Sequence, residues 1–245
     1  MNIMNKRIPM IVANWKMNFI HDQAIDFINQ IKGQIPDSNQ IEVGIAGQGL
    51  FLHDLVRQTA DSPIKIVAQN SHWSDDGAFT GETSPKALSD IGVGYTMLGH
   101  FERRRFFNET NEYVAQKAIA ALNNNLKVII DIEEIEQLAP AIEGITKEQI
   151  SNVVLAFEPV YAIGTGHPAS IDGSQDVAVE IRNILAKKFD QEVAENMRIL
   201  YGGSVTVDNA NLFTSQDDID GVLVGTASLD PNSFLKLIDI VKRAQ

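Results

Sequence analysis

The sequence contains no cysteine and only two tryptophans. The first absence excludes disulfides and thiolate metal centres, and it fits a reducing compartment. Positive charge is scarce as well: 20 Lys and Arg stand against 32 Asp and Glu, a net charge of −12. Such a chain has no sequence-independent grip on nucleic acid or on an anionic membrane surface, so an anionic ligand needs a local positive pocket. No apolar stretch is long enough to span a bilayer. The segment from Met1 to Met10 holds Lys6 and Arg7 but neither a long apolar run nor a small-residue cleavage site, so it does not read as a signal peptide and a cytoplasmic location is expected. Charge blocks, low-complexity tracts and Gly/Ser linkers are missing too, which leaves one domain over residues 1–245 as the expectation. The Walker pattern, the dinucleotide fingerprint and the His-Glu-x-x-His metal motif are all absent, so no cofactor and no metal are expected.

What is present is a repeating pattern. Short apolar runs rich in Val and Ile occur at Met10–Ala13, Ile41–Ala46, Ile64–Ala68, Tyr95–Leu98, Val128–Ile130, Val153–Phe157, Ile199–Tyr201 and Gly221–Val224. Runs without polar alternation mark strands buried on both faces, and the stretches between them carry the 3 to 4-residue period of amphipathic helices. The pattern is a repeated βα unit with a parallel sheet. One helix is expected over Asp22–Ile31 behind a capping Asp22, with Ala24, Phe27, Ile28 and Ile31 on one face, and another over Leu229–Arg243. Between Ile132 and Asn152, Pro140, Gly144 and a second start at Thr146 leave room for little more than one helix. Periodicity alone allows either a closed barrel or an open doubly wound sheet; the length is close to the roughly 250 residues of a β/α barrel.

In both folds ligands sit beyond the C-terminal ends of the strands. There the chain places Asn14-Trp15-Lys16, Gly99-His100, Glu158-Pro159, Tyr201-Gly202-Gly203-Ser204 and Gly225-Thr226. A single lysine or histidine at such a place is more often a solvated charge or a structural hydrogen-bond partner than a reactive group. Glu158 is different: it follows the apolar run Val153–Phe157 directly, and Pro159 restricts it to extended backbone. A carboxylate at an apolar rim has the raised pKa a general base needs. Single glycines are ordinary turn formers. Those at Ile163-Gly164-Thr165-Gly166, Gly202-Gly203 and Gly225 follow three late strands, however, where backbone N–H groups can approach a phosphate. Arg103, Arg104 and Arg105 form a short basic run that reads as ion-paired or solvated in so acidic a chain.

These segments, taken in order, resemble the triosephosphate isomerase family over nearly the whole chain. The resemblance lies in Asn14 to Asn18, Ala68-Gln69-Asn70, Gly77 to Glu82, Leu98-Gly99-His100 with Glu102-Arg103-Arg104, Glu158 to Gly166 and Tyr201 to Val205. It implies a (β/α)8 barrel, shortened after the fifth strand, that interconverts dihydroxyacetone phosphate and glyceraldehyde 3-phosphate without a cofactor. It further implies Glu158 as base, His100 as neutral electrophile, Lys16 as charge-offsetting cation and Asn14 as hydrogen-bond donor. Gly164, Ser204, Gly225 and Thr226 would hold the phosphate. The lid would comprise Pro159, Val160, Tyr161, Ala162, Ile163, Thr165, Gly166, His167, Pro168 and Ala169. A homodimer is implied, with Thr80, Phe79, Glu82 and Arg103 at its interface and Thr80 reaching the neighbouring subunit's site.

The chain also departs from the family's pattern. Phe101 stands where a serine is usual, removing a hydroxyl that holds the base, with Glu102 following it in the supporting shell. Asp131 stands where a cysteine is usual and places a second carboxylate near Glu158, which is expected to raise the pKa of the base by like-charge repulsion. Tyr161, His167-Pro168 and Thr226 are smaller changes in the lid and cradle. The altered shell leaves two other readings: an isomerase of a longer sugar phosphate such as a tetrulose phosphate, or a weakly active or non-catalytic relative.

Overall fold

The computed structural model describes residues 7–159 and 170–244. Eight parallel strands close into a barrel in sequence order: β1 Met10–Asn14, β2 Glu42–Gly47, β3 Lys65–Ala68, β4 Tyr95–Leu98, β5 Lys127–Ile132, β6 Val153–Phe157, β7 Arg198–Gly202 and β8 Gly221–Val224. The pairing of β1 with β8, Met10 opposite Gly221 through Ala13 opposite Val224, settles closed barrel against open sheet.

Alternation along the strands divides the core in two. Met10, Val12, Ala46, Val67, Tyr95, Met97, Ile129, Val154, Ala156, Leu200 and Leu223 fill the barrel interior. The residues between them, such as Ile11, Val43, Ile66, Val128, Ile130 and Leu155, pack outward under the helices. Both faces are therefore apolar, which is why the strands read as unbroken hydrophobic runs. At the N-terminal mouth, Glu42 accepts from the Tyr95 hydroxyl and from Arg198, closing that end with a satisfied polar network.

Among the described residues the helices are α1 His21–Ile31, α2 Leu52–Gln58, α3 Pro85–Asp90, α4 Phe101–Phe107, α5 Asn111–Asn123, α6 Leu138–Ala141, α7 Lys147–Ile150, α8 Ile171–Lys188, α9 Gln191–Asn196, α10 Ala210–Thr214 and α11 Pro231–Arg243. Helix α1 buries the expected Ala24, Phe27, Ile28 and Ile31, but Asp22 is not its cap. The cap position is Ile20, whose N–H is taken by Gln23 Oε1, and Asp22 lies inside the first turn, where a carboxylate favours the positive end of the helix. Helix α11 starts at Pro231 rather than Leu229, because Asp230 caps it by accepting from the Ser233 N–H and proline suits the first turn. After β5 the chain forms only a 3-10 turn, Ile135–Gln137, and the four-residue helices α6 and α7, the second capped by Thr146 with a complete capping box to Gln149. No helix among the described residues is long and apolar enough to cross a membrane.

Candidate active site

The barrel's inward rows end at its C-terminal mouth in a layer of polar side chains and glycines. Asn14 is the last residue of β1 and is 4% exposed. Asp131 lies in β5 on the row of Ile129, and Glu158 lies just beyond β6 on the row of Val154 and Ala156. Gly202 ends β7 on the row of Leu200.

Lys16 has a left-handed backbone, φ 52°, which costs a non-glycine residue on the order of 1 kcal/mol. Its neighbours fix that geometry. Asn14 Oδ1 accepts the Lys16 N–H at 3.0 Å, and Gln69 Nε2 donates to the Lys16 carbonyl at 2.8 Å. The ammonium reaches Glu102 Oε1 at 2.8 Å and lies 5.3 Å from the centre of the Phe101 ring.

His100 caps α4. Its Nδ1 accepts the Glu102 N–H at 3.2 Å, so the proton of the neutral ring is on Nε2. Burial, reinforced by the nearby Lys16 ammonium, pushes its pKa down to about 4. The imidazole is thus neutral at ordinary pH, with Nε2 3.4 Å from Glu158 Oε2. The Phe101 ring packs on the His100 ring at 5.1 Å between centroids and brings no hydroxyl to Glu158.

Glu158 is anchored through its backbone, where its N–H donates to the Ile132 carbonyl at 2.8 Å. Its side chain lies over Gly202: a Cβ there would sit 2.5 Å from Glu158 Cγ. Burial pushes the carboxyl up to about 8, against the pull of Lys16. Desolvation is the largest cause at Glu158; the Asp131 carboxyl is raised first by burial and then by repulsion from Glu158, so each acid opposes the ionisation of the other.

Asn14, Lys16, His100 and Glu158 line one cavity of about 280 Å³ together with Ser204, Gly225 and Thr226. The seven described residues expected to act on the substrate or hold its phosphate thus line one cavity. Gly164 and the lid residues from Val160 to Ala169 lie outside the described residues. Among the described residues, no group of three or more His, Asp or Glu side chains is arranged to hold a metal.

A second cavity of about 670 Å³ shares Asn14, Lys16 and His100 and opens past Met17, Arg103 and Phe107. Arg103 is engaged within its own chain, Nε to Glu109 Oε2 at 2.7 Å. Thr80, Phe79 and Glu82 project on a loop closed at its base by the His72 N–H on the Thr83 carbonyl. Glu109 is buried and carries no motif in the sequence, nor does Lys117, while Gly202 reads there only as a turn or phosphate-loop glycine. Glu109 accepts from the Gly99 N–H, Arg103 and Lys117, and these two cations hold its pKa down against burial. The visible signal was Lys117 on the apolar face of α5, between Val114 and Ala121.

Comparison with known proteins agrees with this geometry. The family described as triosephosphate isomerase matches residues 9–241. The triosephosphate isomerase of Lactiplantibacillus plantarum is 43% identical over 95% of this chain and 98% of its own length. That of Pediococcus pentosaceus is 45% identical over the same shares. The chain belongs to the triosephosphate isomerase family.

Proposed function

We propose that this chain interconverts dihydroxyacetone phosphate and D-glyceraldehyde 3-phosphate through an enediolate, with Glu158 as the base. The convergence of Asn14, Lys16, His100 and Glu158 on one cavity that Ser204, Gly225 and Thr226 also line carries this reading. Ionised Glu158 takes a carbon-bound proton beside the substrate carbonyl. His100 donates from Nε2 to the carbonyl oxygen, Lys16 offsets the charge that develops there, and Asn14 donates a hydrogen bond. A neutral histidine electrophile at a helix N-terminus is the arrangement already known for triosephosphate isomerases. Ser204, Gly225 and Thr226, with Gly164, hold the phosphate, and the segment from Pro159 to Ala169 closes over it so that water is excluded. Both named relatives are triosephosphate isomerases, and nothing favours a longer sugar phosphate or a non-catalytic chain. A coupled assay with glyceraldehyde 3-phosphate tests the reading; no turnover beyond the uncatalysed rate overturns it.

The protonation states give the assay a pH signature. A base works ionised, and the Glu158 carboxyl is raised to about 8. Hence kcat/KM, which reports the free enzyme, is expected to rise with pH and level off only above about 8. His100, lowered to about 4, adds no limb at neutral pH. A plateau already complete at pH 6 would place the base in a far more polar setting.

We further propose a homodimer in the cytoplasm. Met17, which lines the larger cavity, is 86% exposed, Leu50, next to the lining residue Gly49, is 85% exposed, and Phe79 is 42% exposed on the projecting loop. A second copy's loop, carrying Phe79, Thr80 and Glu82, fits that cavity and would cover these apolar groups. Met17→Asp is expected to turn the dimer into a monomer in sedimentation analysis. Sedimentation of the parent chain as a monomer at micromolar concentration would remove the dimer.

A further inference from the structure

Among the described residues, two buried acids at the mouth of the barrel carry oxygens without a hydrogen bond. Neither Asp131 Oδ1 nor Oδ2 has a donor, and Glu158 Oε2 has only the long approach of His100 Nε2 at 3.4 Å, outside hydrogen-bond geometry, although Asp131 is 1% exposed and Glu158 6%. Asp131 lies in β5 and Glu158 directly follows the adjacent β6, both on inward rows. Asp131 pairs in register with Ala156, and Glu158 is the next residue up the same inward row. With strands about 4.8 Å apart and a rise of about 3.3 Å per residue, such diagonal neighbours lie roughly 8 Å apart at Cα, within reach of two acidic side chains.

The surrounding charges are already engaged. Arg104 of α4 donates through Nη2 to the carbonyl of Asp131, not to its carboxyl, and through Nε to the Gly99 carbonyl. Lys16, after β1, is held by Glu102. Glu109, ahead of α5, is held by Arg103 and Lys117. On the Glu158 side, Glu102 and Glu133 are further anions and His100 is the neighbouring imidazole. No free cation among the described residues is placed to neutralise two carboxylates here.

Two unpaired carboxylates cannot both stay ionised at such a place, and two unpartnered neutral acids waste their hydrogen-bonding capacity. One proton between them resolves both problems, as an O–H···O⁻ bond of the strong, charge-assisted kind. We propose that Asp131 is a positioning residue that keeps its proton and donates it as a hydrogen bond to the ionised carboxylate of Glu158. Desolvation favours this division of the pair, since Asp131 is the more deeply enclosed acid and Glu158 borders the cavity and the Lys16 ammonium. It also supplies what Phe101 cannot, a donor for the base. The proposal rests on Glu158 as the base.

The sign of one shift tests it. A neutral donor stabilises ionised Glu158, so removing it in Asp131→Val is expected to move the rising limb of kcat/KM to higher pH by about one unit or more. In Asp131→Asn the amide N–H keeps a donor without an ionisable proton, and the limb stays near its parental position. If Asp131 were an anion repelling Glu158, both variants would move the limb to lower pH; if it were only structural, neither would move it, and either result overturns the proposal. A readout independent of turnover and of the valine variant's folding is the infrared carbonyl stretch of a neutral carboxylic acid. It is expected to persist in the parent chain above the pH of the limb and to vanish there in Asp131→Asn, and its absence from the parent overturns the proposal. Because that band reports on the free protein, failure of the base assignment and failure of the Asp131 assignment are separable.

Discussion

Glu158→Asp is expected to lower kcat by about a hundredfold or more while leaving KM within a few-fold of the parent value. The reason is positional. The backbone of Glu158 is fixed on both sides, by its N–H on the Ile132 carbonyl and by Pro159, which keeps it extended. A side chain shorter by one methylene therefore withdraws its carboxylate by about 1 Å, and nothing at the backbone can follow. Displacement of that size costs on the order of 10²-fold when the lost interaction belongs to the transition state. Substrate binding would be largely spared, because the proposed phosphate ligands Ser204, Gly225 and Thr226 are separate members of the cavity lining. Steady-state kinetics in both directions measure the split. A kcat within threefold of the parent would remove Glu158 from the role of base.

The position of Glu158 was legible because two local signals coincide, an apolar strand that ends in a carboxylate and a proline that fixes its backbone. The neighbours were less so. The sequence runs ended at Ala13, Ile130 and Tyr201, yet the strands continue to Asn14, Ile132 and Gly202. Strand pairing, not residue preference, carries them on: Asp131 and Ile132 stay in register with Ala156 and Phe157. An aspartate and a glycine are poor strand formers, so propensity stops the strand where tertiary pairing does not. As a result, residues that look like loop positions are inward-facing members of the barrel wall. The α1 cap was misplaced for a related reason, since an aspartate near a helix start signals a cap whether it stands at the cap or inside the first turn.

The polar interior was hidden more deeply. Glu109 joins Gly99, Arg103 and Lys117, residues of β4's end, α4 and α5, and it organises the segment that presents His100. Only Lys117 showed, as a cation on an apolar helix face. Gln69 could be quoted as part of a motif, but its work is to donate to the carbonyls of Lys16 and Ala46, a contact between three strand ends that no spacing rule encodes. The motifs carry the side-chain roles, whereas the backbone support beneath them arises from contacts between distant strand ends.

Gly202 shows the consequence most directly. It looked like one turn glycine among several, but its backbone is extended β7 wall and its missing side chain is the space Glu158 occupies. A Cβ at this position would lie 2.5 Å from Glu158 Cγ, 2.7 Å from Oε1 and 3.0 Å from Cδ. Those distances cannot persist, so in Gly202→Ala either the strand or the base must move. The strand is paired to both neighbours, and the base is the freer of the two. Gly202→Ala is therefore expected to lower kcat by about a hundredfold through a displaced Glu158 and to cost about 1–3 kcal/mol of stability through overpacking. Gly33→Ala, where an added Cβ meets nothing within 4 Å, is the matched control and should leave kcat unchanged. Combining Gly202→Ala with Glu158→Asp discriminates further. The shorter acid relieves the contact with the new methyl group, so the two losses should not multiply, whereas full multiplication would mean that Gly202 acts on some step other than the placing of Glu158.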